Sequence, residues 1–208
     1  DPGEQVRSSP VSETSSVRSA LLSSSVAGPT SHSLHNFRKI KLLDIDPRTY
    51  ASQLTIMEHN NYLCISIFEC LDRAWGSKYG ELGGSPNITK FIASANNLTN
   101  YVSYTIVKQY DAKIRARLIM YFITVAQYCR ELHNFSSMTA IVSALCSSPI
   151  FRLKKTWPLV SKECNVFLNE MNTLMDSTKN FINYRELLRS LRDVACVPFF
   201  GVFLSDLT

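Results

Sequence analysis

Apolar residues after position 37 recur at three- and four-residue intervals, the spacing of one face of an α-helix. The longest stripes run over 88–106, 114–132 and 138–145. No segment alternates apolar and polar residues over the length of a strand, and no hairpin signal such as Asn-Gly is present. The pattern predicts an all-α fold, an irregular orthogonal helical bundle whose helices differ in length and show no fixed repeat.

Capping residues predict where five of these helices begin. Asp and Ser side chains accept hydrogen bonds from the first-turn amides of a helix, and proline fits the first turn. The predicted starts are Asp46-Pro47, Ser66, Ser85-Pro86, Asp111 and Ser136. Two further stripes, over 160–171 and 181–191, predict two more helices after Trp157-Pro158.

The first 36 residues have a different composition. They are rich in serine, contain Pro2, Pro10 and Pro29, and carry almost no aromatic residue. Such a segment cannot bury enough apolar surface to offset its ordering entropy. We therefore predict a disordered tail or linker over 1–36 and a folded domain over 37–208.

Composition excludes several functional classes. The 208 residues carry a net charge of +5, with basic and acidic residues interspersed after residue 37. A nucleic-acid-binding face would be denser and one-sided. The six cysteines form no CxxC and fall mostly on apolar helical faces, so we expect buried thiols in a reducing compartment. No secretory signal is present, and the longest apolar run, 118–129, is too short to span a bilayer. These features predict a cytoplasmic protein.

Residues for covalent chemistry are sparse. His59 and His133 are the histidines of the predicted domain, and neither has a metal-ligand spacing. There is no GxSxG motif and no phosphate-binding loop. We predict no cofactor, no metal and no enzymatic bond chemistry, and therefore a helical domain that works by binding.

Several ordered blocks resemble the catalytic domain of Ras-family guanine nucleotide exchange factors. They cover residues 40 to 208 and comprise Pro47 followed by Ala51-Ser-Gln-Leu-Thr55, Ser85-Pro-Asn-Ile88, Arg115-Ala-Arg117 through Asn134-Phe135, Ser147-Ser-Pro-Ile-Phe-Arg-Leu153, Asn183-Tyr-Arg-Glu-Leu187, and Cys196-Val-Pro-Phe-Phe-Gly201 with Leu204-Ser-Asp-Leu207. A chance match at one block is plausible, but five in order are not. The resemblance implies a helical domain that binds a Ras-like small GTPase, preferentially in its nucleotide-free state. It implies the release of GDP and loading of GTP without any covalent step.

The resemblance also implies a GTPase-binding surface. Its residues would be Trp75, Thr89, Asn96, Thr139, Ser143, Cys146, Ser148, Phe151, Asn180, Phe181 and Phe199. Helical spacing alone favours a core position for Trp75, Phe151 and Phe181. Asn96 interrupts an apolar stripe, and burying an unpaired amide costs about 1–3 kcal/mol, which argues for a partner. Cys146 stands where the family commonly has Asn, which puts a hydrogen bond at that position in doubt.

The end of the chain departs from the family pattern. Residues 198–207 resemble the start of a projecting helical hairpin, so the wedge residues that expel nucleotide are expected beyond Thr208. The segment with Phe199, Phe200, Val202 and Phe203 would then form an exposed apolar patch. The alternative function is a GTPase-binding or scaffold module that binds without exchanging. Peripheral recruitment to the inner face of the plasma membrane, through other parts of the parent protein, is left open.

Overall fold

The computed structural model describes residues 41–70, 75 and 84–207. These residues contain eight α-helices: α1 (Pro47–Leu63), α2 (Pro86–Val107), α3 (Ala112–Glu131), α4 (Phe135–Cys146), α5 (Ser148–Phe151), α6 (Lys162–Leu174), α7 (Ile182–Ser190) and α8 (Gly201–Asp206). Within them no β-strand forms, and the one β-bridge joins Asn134 to Val197. The predicted all-α fold is confirmed. The predicted tail, 1–36, lies outside the described residues.

Two of the predicted helix starts have the predicted caps. The Asp46 carboxylate accepts from the backbone N–H of Thr49 at 2.8 Å, and Pro47 opens α1. The Asp111 carboxylate accepts from the N–H of Lys113 at 2.8 Å at the start of α3. These caps follow from sequence because donor and acceptor lie within one turn of each other.

Two other predicted starts differ in their capping residue. The Ser85 side chain does not cap α2. The α2 N-terminus is capped instead by the Glu69 carboxylate, which comes from the 3₁₀ turn Ile67–Cys70. This carboxylate accepts hydrogen bonds from the backbone N–H groups of Asn87 at 2.8 Å and Ile88 at 3.1 Å. Helix α4 begins after Asn134, not at Ser136. In both cases a side chain with a better approach to the free amides displaces the nearby serine.

The titration of Glu69 follows from this cap. Burial raises the pKa of its carboxyl, but hydrogen bonds from Asn87, Ile88 and Ser66 outweigh burial, so the net pKa lies below its ordinary value. A carboxylate at a helix N-terminus is also stabilised by the helix dipole. Because the pKa of Glu69 is lower in the folded protein than in the unfolded chain, its charged cap contributes fully to stability at pH values above the unfolded pKa. That contribution is lost as the pH falls through the pKa of Glu69 in the folded protein.

We expect Glu69→Gln to lower the free energy of unfolding by about 1 kcal/mol at pH 7, since a neutral amide is a weaker cap. The difference from wild type should disappear at a pH below the lowered pKa of Glu69. Urea unfolding measured over a series of pH values falling from pH 7 gives both results. Glu186→Gln, an exposed glutamate of α7, is the matched control and should stay within about 0.5 kcal/mol. A Glu69 variant as stable as wild type at pH 7 would contradict the capping role.

Helices α3 and α4 carry most of the core. Helix α4 packs against α1, α2, α3, α5 and α6, and nearly all its residues are buried. A second, smaller cluster joins the start of α2 to the last segment of the chain through Ile88, Phe91, Val197, Phe200 and Leu204. The rings of Phe91 and Phe200 meet edge to face at 6.0 Å. Residues far apart in sequence therefore close one end of the domain.

This packing corrects two expectations. Phe200 and Val202 are buried and Phe199 is half-buried, so of the four residues expected in an exposed apolar patch only Phe203, which is 38% exposed, fits the expectation. Of the six cysteines, Cys129 is buried, with its pKa raised by burial to about 12, whereas Cys64 and Cys146 are exposed. Helical periodicity marks one face of a helix, but which face is covered depends on the neighbouring helices.

Candidate functional site

The corner between α4 and α5 presents four of the predicted contact residues. Ser143 and Cys146 lie on the exposed side of α4, and Ser148 and Phe151 on α5. The Phe151 side chain is 73% exposed, so the core position that spacing favoured for it is wrong. Large exposed aromatic side chains are characteristic anchors of protein interfaces.

Helix α5 is held firmly beneath this exposed ring. Ile150 is fully buried, and its carbonyl accepts a hydrogen bond from the indole N–H of Trp157 at 2.9 Å. The backbone N–H of Phe151 donates to the carbonyl of Ser147 at 2.8 Å. The exposure of Phe151 is therefore set by a fixed backbone, with its neighbour in the core.

A pocket of about 260 Å³ lies between this corner and α6. It is lined by Leu145, Cys146, Phe151, Trp157, Asn165, Leu168, Asn169 and Asn172. The Cys146 thiol lies 3.9 Å from Oδ1 of Asn172, which is a weak contact. Although Cys146 is exposed as a residue, partial desolvation of its thiol by the surrounding protein raises the pKa of that group above its ordinary value.

Helix α2 contributes a second group. Thr89 and Asn96 are both exposed and lie seven residues apart, which places them two turns apart on one face. The argument that Asn96 needs a partner because it is buried is therefore wrong: its amide is open to solvent and free of a desolvation cost. Exposure leaves Asn96 available for contact instead.

Thr139 of α4 lies where α2 and α4 pack. It is half-buried, and among the residues that the structure describes its hydroxyl oxygen is buried without a hydrogen-bond partner. The neighbouring Thr99 of α2 donates across the same contact to the carbonyl of Ala140 at 3.1 Å. Because the domain itself covers the Thr139 hydroxyl, a bound protein can contact only the exposed part of this residue.

Trp75 is half-buried and packs against the second cluster. The core position that spacing favoured for Trp75 therefore holds in part.

Asn180, Phe181 and Phe199 form the third group. The rings of Phe181 and Phe199 lie 5.8 Å apart, and both are half-buried, while Asn180 is exposed. Lys179, Asn180 and Phe181 have φ values of 52°, 55° and 56°, which is the left-handed region. Each non-glycine residue there costs about 1–2 kcal/mol. Backbone strain of this kind concentrates at functional sites.

The backbone and ring of Phe199 are each held by a specific neighbour. The buried Tyr184 hydroxyl accepts from the N–H of Phe199 at 2.8 Å, and burial raises the pKa of that phenol, which keeps it neutral. The Phe199 ring lies over Gly201, where a Cβ atom would come within 2.7 Å of Cζ. Glycine at 201 therefore permits this ring position.

Helix α6 connects the first and third groups. On one side Asn172 faces Cys146, and on the other the carbonyl of Thr173 accepts from the side-chain amide of Asn183 at 3.0 Å. Pattern analysis did not select Asn172 as a site residue, because nothing local in the sequence places it beside Cys146. Arg185, described below, was part of a recognised block but was not assigned a role.

Among the described residues, no group of three or more His, Cys, Asp or Glu side chains could hold a metal ion. Within the same residues, no helix has the length and apolarity needed to cross a bilayer.

A model of the RasGEF domain family matches residues 49–208. The chain belongs to the RasGEF domain family. The implied membership is thus confirmed, and the match begins within the first turn of α1 and covers all the later helices. The proteins to which the chain is similar include two fungal proteins and one from Dictyostelium.

The chain is 67% identical over 188 residues to Cell division control protein 25 of Saccharomyces cerevisiae, covering 90% of this chain and 12% of that protein. The chain is 49% identical over 171 residues to Cell division control protein 25 of Candida albicans, covering 82% of this chain and 13% of that protein. The chain is 38% identical over 175 residues to Ras guanine nucleotide exchange factor E of Dictyostelium discoideum, covering 83% of this chain and 17% of that protein. The chain spans between an eighth and a sixth of these relatives.

Proposed function

We propose that this RasGEF domain is a guanine nucleotide exchange factor for a Ras-like small GTPase. In this proposal it binds the GTPase, promotes release of GDP, and allows GTP to load, with no change in covalent bonds. The observation that carries the proposal is the family match over residues 49–208. The Dictyostelium relative, which is named Ras guanine nucleotide exchange factor E, supports it.

The required physical property is differential affinity. A nucleotide held at nanomolar affinity is bound by about 12 kcal/mol, so a factor that bound loaded and empty GTPase equally would release nothing. Coupling between the two ligands is reciprocal: a protein that weakens nucleotide binding must itself bind the nucleotide-free GTPase more tightly. We therefore propose nucleotide-free GTPase as the preferred partner.

The proposed contact surface consists of eleven residues, namely the nine residues of the three groups together with Thr139 and Trp75. Seven of them are exposed, and the rest are half-buried: Trp75, Thr139, Phe181 and Phe199. Phe151 and the Phe181–Phe199 pair supply apolar anchors, and Thr89, Asn96, Ser143, Ser148 and Asn180 supply hydrogen-bonding groups. Aromatic residues such as these three phenylalanines are enriched in protein interfaces.

We also propose the division into a tail, 1–36, and a folded domain, 37–208. A cytoplasmic location follows from the proposed partner and activity, and peripheral recruitment to the inner face of the plasma membrane belongs to the same proposal.

The proposal is tested by release of fluorescent GDP from a panel of Ras-like GTPases, measured with and without the 208-residue chain. Direct binding to the same GTPases, stripped of nucleotide, is measured in parallel. We expect accelerated release from at least one GTPase and tighter binding to its nucleotide-free form. Binding without accelerated release would replace exchange by a GTPase-binding or scaffold role. Failure to bind any empty Ras-like GTPase would overturn both.

A further inference from the structure

The guanidinium of Arg185 joins the strained loop before α7 to helix α8. Its Nε donates to the backbone carbonyl of Asn180 at 2.8 Å, and Nη2 donates to the side-chain Oδ1 of Asn180 at 3.1 Å. Nη1 and Nη2 also donate to the two carboxylate oxygens of Asp206, at 2.7 and 2.6 Å. One side chain of α7 thus contacts both the loop and α8.

The geometry uses what is particular to arginine. Its donors lie in a rigid planar fork, so one edge can hold Asn180 while the other pairs with a carboxylate. A lysine ammonium in the same place is a single point charge and cannot reproduce both edges. The Arg185 side chain is 22% exposed, so this pairing is partly shielded from solvent.

The contact also fixes which way the Asn180 amide points. Arginine donates hydrogen bonds and accepts none, so the amide atom that faces Nη2 must be the oxygen. The other amide atom, Nδ2, then points away from Arg185, and it has no hydrogen-bond partner among residues 84–207. Asn180 is exposed and lies beside Phe181, whose ring contacts Phe199.

We propose that Arg185 is a positioning residue that holds Asn180 so that its Nδ2 donates a hydrogen bond to an acceptor oxygen of the bound GTPase. The inference rests on the proposed function, because it names the partner's chemistry at that site. Asp206 completes the arrangement by holding the other edge of the guanidinium. The left-handed backbone at 179–181 is the conformation that places the Asn180 carbonyl and Oδ1 on the same guanidinium.

The donor is tested with Asn180→Asp in the 208-residue chain. Aspartate keeps an oxygen for Arg185, with added charge, but replaces the outward N–H donor by an acceptor. We expect binding to a nucleotide-free Ras-like GTPase to weaken at least 10-fold, with the melting temperature unchanged. A purely structural role for Asn180 predicts wild-type binding by this variant.

The positioning role is tested with Arg185→Gln and Arg185→Lys. We expect both to weaken binding at least 10-fold and, without any GTPase present, to accelerate amide hydrogen exchange in peptides covering 178–182. Arg189→Gln is the matched control, since Arg189 is exposed one turn further along α7. It should leave binding and hydrogen exchange as in wild type.

The outcomes separate the two proposals. If the wild-type chain binds no nucleotide-free Ras-like GTPase, the proposed function fails, and the inferred donor with it. If wild type binds but Asn180→Asp binds equally well, the inferred donor alone is overturned. Unchanged hydrogen exchange in Arg185→Gln overturns the positioning role whatever the binding result.

Discussion

Replacing Phe151 by alanine is expected to weaken binding to a nucleotide-free Ras-like GTPase by about 30-fold or more, a loss of at least about 2 kcal/mol, as found for central aromatic anchors of interfaces. The side chain is 73% exposed on a short helix whose backbone is fixed by Ile150 and Trp157. An exposed ring on a rigid support loses little entropy on binding and gains its full burial there. The free energy of unfolding should change by less than about 0.5 kcal/mol, since exposed substitutions rarely destabilise.

Tyr110→Ala is the matched control for this result. Tyr110 is 100% exposed and is not among the eleven proposed contact residues. Removing its ring should leave both binding and stability at the wild-type level. Binding is measured by dissociation of the complex and stability by urea unfolding. Equal loss of binding in the two variants would mean that Phe151 contributes only general surface hydrophobicity.

The second large effect is on stability. Phe135→Ala should lower the free energy of unfolding by about 3–5 kcal/mol, because it removes a fully buried ring and leaves a cavity. For a domain of this size the melting temperature should fall by roughly 6–20 °C. Phe68→Ala is the same change at a side chain that is 76% exposed, and should have little effect. A small change at Phe135 would show that the core there can collapse around the missing ring.

Phe135 also bears on the proposed binding surface. Its ring meets that of Tyr184 edge to face at 5.3 Å, and the Tyr184 hydroxyl holds the backbone of Phe199. Phe135→Leu, which fills more of the space, should recover much of the stability. If it still shows weakened GTPase binding, the loss reflects the displaced Phe199 rather than unfolding. Calorimetry and binding measured on the same preparation distinguish the two effects.

A substantial part of the fold could be predicted from local patterns. The helical stripes, the proline at N1 of α1 and α2, and the caps at Asp46 and Asp111 all involve residues within one turn of each other. Helix propensity and capping act over this range, so the sequence carries the information directly. The ordered blocks likewise identified the RasGEF family, which the family match over 49–208 confirms.

Contacts between distant segments could not be predicted in this way. The cap of α2 comes from Glu69, eighteen residues before Asn87, and displaces Ser85, which is the local candidate. Exposure was misjudged for the same reason at Phe151 and Asn96, since a periodic pattern does not specify which neighbour covers a given face. The eleven contact residues remain a proposal on which binding measurements will decide.

By itself, the sequence of this RasGEF domain determined where most of the longer helices begin and to which family the chain belongs, but it did not predict the short helix α5. These are properties of short-range hydrogen bonding and of the order of residues along the chain. The tertiary structure alone decided that Phe151 faces solvent, that Phe181 meets Phe199, and that Arg185 joins Asn180 to Asp206. Each of these three features depends on how the packed helices bring together side chains that lie far apart in sequence or on different helices. The free energy of each contact is set by the burial and geometry that this packing creates.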